Sequence, residues 1–277
     1  WCAAALLAGP RDPLGDALVA VALLLGAAAP AAIVFAVLAR REARAARIRL
    51  HRRLLTPLGV RWIHCAGLLL PAVIVGAVAL VAWAAAAFPL PQLRAPPFAS
   101  FPLLALLVLV PVSEELAWRG FALERLLARI DGLRASLLLA GVAVLWQLPL
   151  FLIPGTPQAA LAFGTPAAAL LLVSVLPQTL VLTALYCATG GSVLATILMH
   201  LAMDLTAACV ELDQDGGLLA LALWFLLAVA LLARYGPDTL SAASLARWRK
   251  APDRRPPTPR RFDAVLSRLA RDPTISP

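Results

Sequence analysis

The sequence predicts an all-α polytopic membrane protein with about seven transmembrane helices. Two observations carry that expectation. Of the 277 residues, 62% are hydrophobic and only 14% charged, with a mean hydropathy of +0.87. An average soluble domain is nearer half apolar and a quarter charged. A chain this apolar, folded in water, would expose more greasy surface than solubility allows. That excludes an ordinary soluble enzyme, a disordered chain and a secreted disulfide scaffold. The second observation is that the apolar residues gather in runs of roughly 20, the length a helix needs to cross about 30 Å of hydrocarbon. Only helices and closed barrels span bilayers, and these runs are too long and too uniform for barrel strands.

In chain order the runs fall at 17–39, 62–88, 103–127, 135–153, 166–187, 192–209 and 218–233. Pro and Gly between them mark turns: Pro89 and Pro91, Gly132, Pro154 and Gly155, Gly190 and Gly191, Gly216 and Gly217. Residues 1–9 are apolar but too short to span. With Trp1 in the first place, the native start is expected to be missing, leaving a trimmed signal segment or the end of a lost helix. The expected organisation is an extracytoplasmic stretch at 1–16 and two helices with a basic loop over 17–102. A core follows at 103–209, then an acidic loop with the last span at 210–234 and a basic, Pro-rich tail at 235–277.

The net charge of +9 comes from 24 Lys+Arg against 15 Asp+Glu, and its placement explains it. After the first run lie Arg40, Arg41, Arg44, Arg47, Arg49, Arg52, Arg53 and Arg61; Arg125, Arg129 and Arg134 follow the third. Ten more basic residues run from Arg234 onward. Seven spans put all of these on one side, while Arg11 and Arg94 are on the other, with Glu211, Asp213 and Asp215. The asymmetry predicts a cytoplasmic C-terminus in a plasma-membrane protein. Attraction to anionic lipid is the expected role of the charge, and nucleic acid is not an expected partner. In the tail, Phe262, Val265, Leu266 and Leu269 recur at helical spacing among arginines, a pattern for a short helix on the inner leaflet or for a solvated tail. The four cysteines (Cys2, Cys65, Cys187, Cys209) show no C-x-x-C spacing and read as packing residues.

The third run contains Ser113-Glu114-Glu115-Leu116-Ala117-Trp118-Arg119-Gly120. Counting at 1.5 Å per residue from 103 puts Glu114 roughly 16 Å into the layer. An intramembrane carboxylate costs several kcal/mol and is by default a functional residue. Glu115 and Arg119 are i,i+4 neighbours and are expected to form a structural ion pair. Glu114 points about 100° away and lacks that partner, which makes it the candidate general base. In the sixth run, His200 and Asp204 share a face at i,i+4, roughly 12 to 18 Å deep. A buried pair stapling two helices is the bland alternative. Gln147 lies at similar depth in the fourth run; by itself it reads as a helix–helix hydrogen bond, as do Ser174 and Gln178 beside Pro177. One deep His with carboxylates is a poor zinc shell, so no metal and no cofactor are expected.

Glu114-Glu115-x-x-x-Arg119-Gly120-Phe121 resembles the first motif of the CPBP (Abi-like) intramembrane proteases, the family that includes the type II CAAX prenyl endopeptidases. His200-x-x-x-Asp204 resembles its last motif, H-x-x-x-N/D. Between them the family has F-x-x-x-H within a W-H-L-P-like stretch; here Trp146-Gln147-Leu148-Pro149 stands there, with Ala143 for Phe and Gln147 for His. The resemblance covers about residues 103–209. It implies a metal-independent glutamate protease acting on a peptide or membrane-protein substrate, of CAAX prenyl-peptide or bacterial peptide type. Glu114 would activate water, and His200 with Asp204 would serve the oxyanion. Gln147 can hydrogen-bond a water but cannot exchange a proton at neutral pH. A catalytically impaired membrane binder is therefore the alternative, and a transporter the third reading. No oligomeric state is specified.

Overall fold

The computed structural model describes residues 13–41, 62–86, 88–94, 101–154 and 156–243. The expected start of the chain, most of the first basic loop and the tail beyond residue 243 lie outside the described residues. The elements are α1 (Pro13–Arg41), α2 (Trp62–Ala85), β1 (Gln92–Leu93) and α3 (Phe101–Ala117). A π-helical segment, Trp118–Leu123, leads into α4 (Glu124–Leu127). Then come α5 (Gly132–Gln147), a 3-10 turn at Leu148–Leu152, α6 (Pro157–Leu161) and α7 (Pro166–Ala188). The chain continues with α8 (Val193–Cys209), β2 (Val210–Glu211) and α9 (Gln214–Tyr235). Every expected run is helical, and the protein is an all-α polytopic membrane protein.

Five stretches among the described residues are long and apolar enough to cross a bilayer: Leu18–Leu38, Ile63–Ala85, Gly132–Leu152, Pro166–Ala188 and Gln214–Tyr235. They present large apolar side chains outward, such as Trp83 at 73% exposed and Leu226 at 65%. That is costly in water and neutral in lipid. The two remaining helical runs fall short for separate reasons. The α3–π–α4 run carries Glu114, Glu115, Arg119, Glu124 and Arg125. Helix α8 has only 17 residues, a rise of roughly 25 Å. These two runs hold the candidate site.

Polar caps set the boundaries. Asp131, Thr156, Thr165, Ser192 and Asp213 each accept a hydrogen bond from the backbone N–H three residues on, at the start of α5, α6, α7, α8 and α9. Because Asp213 caps α9, Gly216 and Gly217 sit inside its first turn instead of in the expected loop. Gly132 likewise opens α5, and its lack of a side chain is required there. Its N–H donates to Asp238 O at 2.7 Å, and a Cβ would stand 2.8 Å from that oxygen. At the other end of α5, Pro149 has no N–H to continue an α-helical ladder, and the helix tightens to 3-10. Gly190 and Gly191, with φ of +74° and +95°, turn the chain between α7 and α8 as expected. Among the described residues, the one strand pairing is a two-residue antiparallel ladder, Gln92 opposite Glu211 and Leu93 opposite Val210.

Helix α8 is central, packing against α2, α3 and α7, while α1 runs along α3, α5 lies on α7, and α9 covers α2 and α7. One core cluster joins Leu123, Leu127, Leu139, Tyr186, Val193 and Ile197. A second joins Ile74, Leu182, Leu185, Met199 and Trp224. Between α1 and α3 the contact is Val34 and Leu38 on Leu116 and Ala117. Polar bonds fix two of these packings. Ser136 Oγ donates to Thr183 Oγ1 at 2.8 Å across α5 and α7. Ala31 N donates to Ser113 Oγ at 3.0 Å across α1 and α3, beside Pro30 inside α1. Outside the spans, Arg94 clamps Glu211 with contacts of 2.8 and 2.6 Å. The hydrogen bond from Arg94 holds the Glu211 carboxyl below its ordinary range, and the carboxylate raises the Arg94 guanidinium in turn. Cys65, Cys187 and Cys209 are free thiols.

Candidate active site

The site forms where α3 meets α8. Glu114 and Glu115 lie near the C-terminal end of α3, one turn before the chain widens into the π segment. Single π turns inside α-helices are frequent at functional sites, and this one touches α5, α7 and α8. Ser192 starts α8 two turns before His200, and the 3.6-residue repeat brings Thr196, His200 and Asp204 onto one face.

Glu115 is the hub. Its side chain is 0% exposed and receives Arg119 Nη1 at 2.7 Å on Oε1. The same Oε1 lies 2.9 Å from His200 Nδ1. An oxygen already accepting from a guanidinium is an acceptor for the ring as well, so the Nδ1 proton is assigned to this bond. Thr196, fully buried one turn before His200, stands beside the same carboxylate. On the ring's other side, Nε2 is 3.8 Å from Asp204 Oδ1, an electrostatic contact beyond hydrogen-bond range. Asp204 is the open end of the chain of groups, with 34% of its side chain exposed.

Glu114 differs from its neighbour. It is half-buried and within electrostatic reach of His200, Asp204 and Glu115, yet no hydrogen bond among the described residues engages its carboxyl group. The first and last sequence motifs are thus brought together, and the ion pair of Glu115 with Arg119 is present. Sequence reasoning missed that Glu115 also holds His200, because nothing in the chain announces which helices are neighbours. It also missed Thr196 and Trp118, although each is one turn from a candidate residue.

Gln147 is the last residue of α5, at the transition to the 3-10 turn. No hydrogen bond among the described residues joins it to Glu114, His200 or Asp204. Ser174 bonds within its own helix, donating to Leu171 O at 2.7 Å, and makes no interhelical bond among the described residues; its hydroxyl is satisfied locally beside Pro177. Among the described residues, no three His, Cys, Asp or Glu side chains converge as metal ligands.

Residues 96–206 match the model of the family described as type II CAAX prenyl endopeptidase Rce1-like. All six candidate residues fall in that segment. The chain is also similar to a protein named CAAX prenyl protease 2 from Methanococcus maripaludis, 27% identical over 136 residues. That alignment takes in 47% of this chain and 49% of the relative, so the chain matches about half the length of its curated relative.

Proposed function

We propose, from the match of residues 96–206 to the Rce1-like family model, that the protein is an intramembrane endopeptidase that hydrolyses a peptide bond with a water activated by Glu114. The observation that carries the reading is the 2.9 Å contact of Glu115 Oε1 with His200 Nδ1, which joins the two family motifs and leaves the Glu114 carboxyl beside them uncommitted. Glu114 takes a proton from water as the water oxygen adds to the carbonyl carbon, and the carbonyl π electrons move onto oxygen. His200, held at Nδ1 by Glu115, meets the oxyanion from Nε2 as an imidazolium. Asp204, on the Nε2 side, orients the ring. Collapse of the adduct breaks the C–N bond, and Glu114 returns its proton to the leaving amine. Gln147 holds water without exchanging protons.

The relative's name favours C-terminal prenyl-cysteine peptides as the first substrates to test, with unprenylated bacterial peptides second. The site sits in a multi-pass protein of the plasma membrane with its C-terminus in the cytoplasm. A second reading, a membrane peptide binder without catalysis, is favoured by one residue, Gln147 in place of the family His. Purified protein in detergent, offered prenylated and unprenylated peptide panels, separates them. The protease cleaves, and Glu114→Gln abolishes cleavage. Retention of peptide with no cleavage by the folded protein selects the binder, and proton-coupled flux after reconstitution into sealed vesicles, without either, selects a transporter.

A further inference from the structure

Trp118 stands four residues after Glu114, at the first position of the π segment. Side chains on a helix lean toward its N-terminal turn, so the indole lies back over Glu114. It is wedged on two sides. On one it packs with Val34, Leu38, Leu116 and Ala117 between α1 and α3. On the other it packs against the cluster built on Leu123, Tyr186 and Ile197. Held there, its Nε1 is buried and makes no hydrogen bond among the described residues, and the Glu114 carboxyl group one turn back lies near enough to feel the indole. A buried indole N–H ordinarily has an acceptor. The cation of the helix turn, Arg119, spends Nη1 on Glu115, while its Nε and Nη2 have no partner among the described residues. Glu114 therefore has a buried, unpartnered indole donor at i+4 and makes no competing bond among the described residues.

We propose that Trp118 is the positioning residue for Glu114: its indole N–H holds one carboxyl oxygen, so the other is presented to the attacking water. The proposal rests on Glu114 as the general base, and it assigns Trp118 no contact with substrate. Phe at this position would keep the wedge between α1 and the core and remove only the donor.

Two measurements test it. In Trp118→Phe, kcat falls about tenfold with KM within about twofold of the parent, because displacement of a base by a fraction of an ångström acts on the chemical step. Unchanged kcat, or a change confined to KM, overturns the proposal while cleavage lost in Glu114→Gln upholds the protease reading. The second readout needs no activity and no Trp118 variant. The ultraviolet resonance Raman marker of indole N–H hydrogen bonding is compared between the parent and Glu114→Leu, both folded in detergent. One of the seven tryptophans shifts to its unbonded position if the Glu114 carboxyl is its acceptor. A spectrum identical in the two proteins overturns the proposal, whether or not either protein cleaves peptides.

Discussion

Breaking one residue of the α3–α8 cluster has different consequences at adjacent positions. Glu115 is fully buried and bonded to both Arg119 and His200. Glu115→Gln leaves a buried guanidinium unpaired, a loss of about 3–5 kcal/mol for buried pairs, and also unfastens His200. Both thermal stability in detergent and cleavage should fall. Glu114→Gln removes no hydrogen bond among the described residues, so cleavage is abolished while the unfolding temperature stays within a few degrees. Equal loss of stability in both variants would mark the cluster as purely structural. Gln147→His tests the altered middle position: general acid–base help is worth about 10² to 10⁴ in rate, so peptide cleavage should rise by at least tenfold. No gain in a folded variant would show that Gln147 lies out of reach of the reacting water. The Glu115–Arg119 pair was legible because its spacing is local. The bond from Glu115 to His200 was not, since it spans 85 positions and exists only once α3 and α8 are neighbours.

Single helices are tied together by a small number of polar bonds whose loss should be felt along a whole element. Pro30 interrupts the ladder of α1, and Ser113 of α3 accepts the neighbouring Ala31 N–H. Ser113→Ala strands that N–H in a part-buried contact and should lower stability by about 1 kcal/mol, read as a lower unfolding temperature. Outside the spans, the clip of β1 on β2 depends on Arg94 and Glu211. The folded-state pKa of Glu211 is depressed by Arg94, so its contribution is complete above the unfolded carboxylate value. It is lost as pH falls through the lower folded one. Hydrogen exchange at the Arg94 amide, which donates to Cys209 O, should accelerate across that acid window relative to its intrinsic rate and more so in high salt. A Glu211→Gln protein should show no such acid transition. Helix existence was legible at every run because 3.6-residue hydrophobic segments of membrane length leave few alternatives. Boundaries were less so: Gly216 and Gly217 look like a turn until Asp213 is recognised as the cap that draws them into α9.

At the scale of the molecule, apolar surface and charge assign opposite jobs to the two directions of the bundle. Sideways, the five long apolar stretches expose side chains such as Trp83, Leu145 and Leu226, which only a lipid environment solvates without cost. Along the sequence, basic residues follow the first, third and last apolar runs, and the acidic residues Glu211, Asp213 and Asp215 follow the sixth. Seven spans alternating in direction would put the α4–α5 and α7–α8 connections on one side. The connection from β2 to α9, which sits beside Arg94, would then lie on the other. Positive residues near span ends are retained on the cytoplasmic side. A reporter joined after Pro277 should therefore be active only in the cytoplasm, and one inserted near Gln214 only outside it. The prediction also bears on the site, because depth along α3 and α8 is counted from these ends. If both reporters lie on one side, the alternation fails between α8 and the C-terminus, and the placement of Glu114 and His200 near mid-layer fails with it. If they lie on opposite sides as expected, α8 crosses despite its 17 residues, its short span made up by burial against α2, α3 and α7 instead of by contact with lipid.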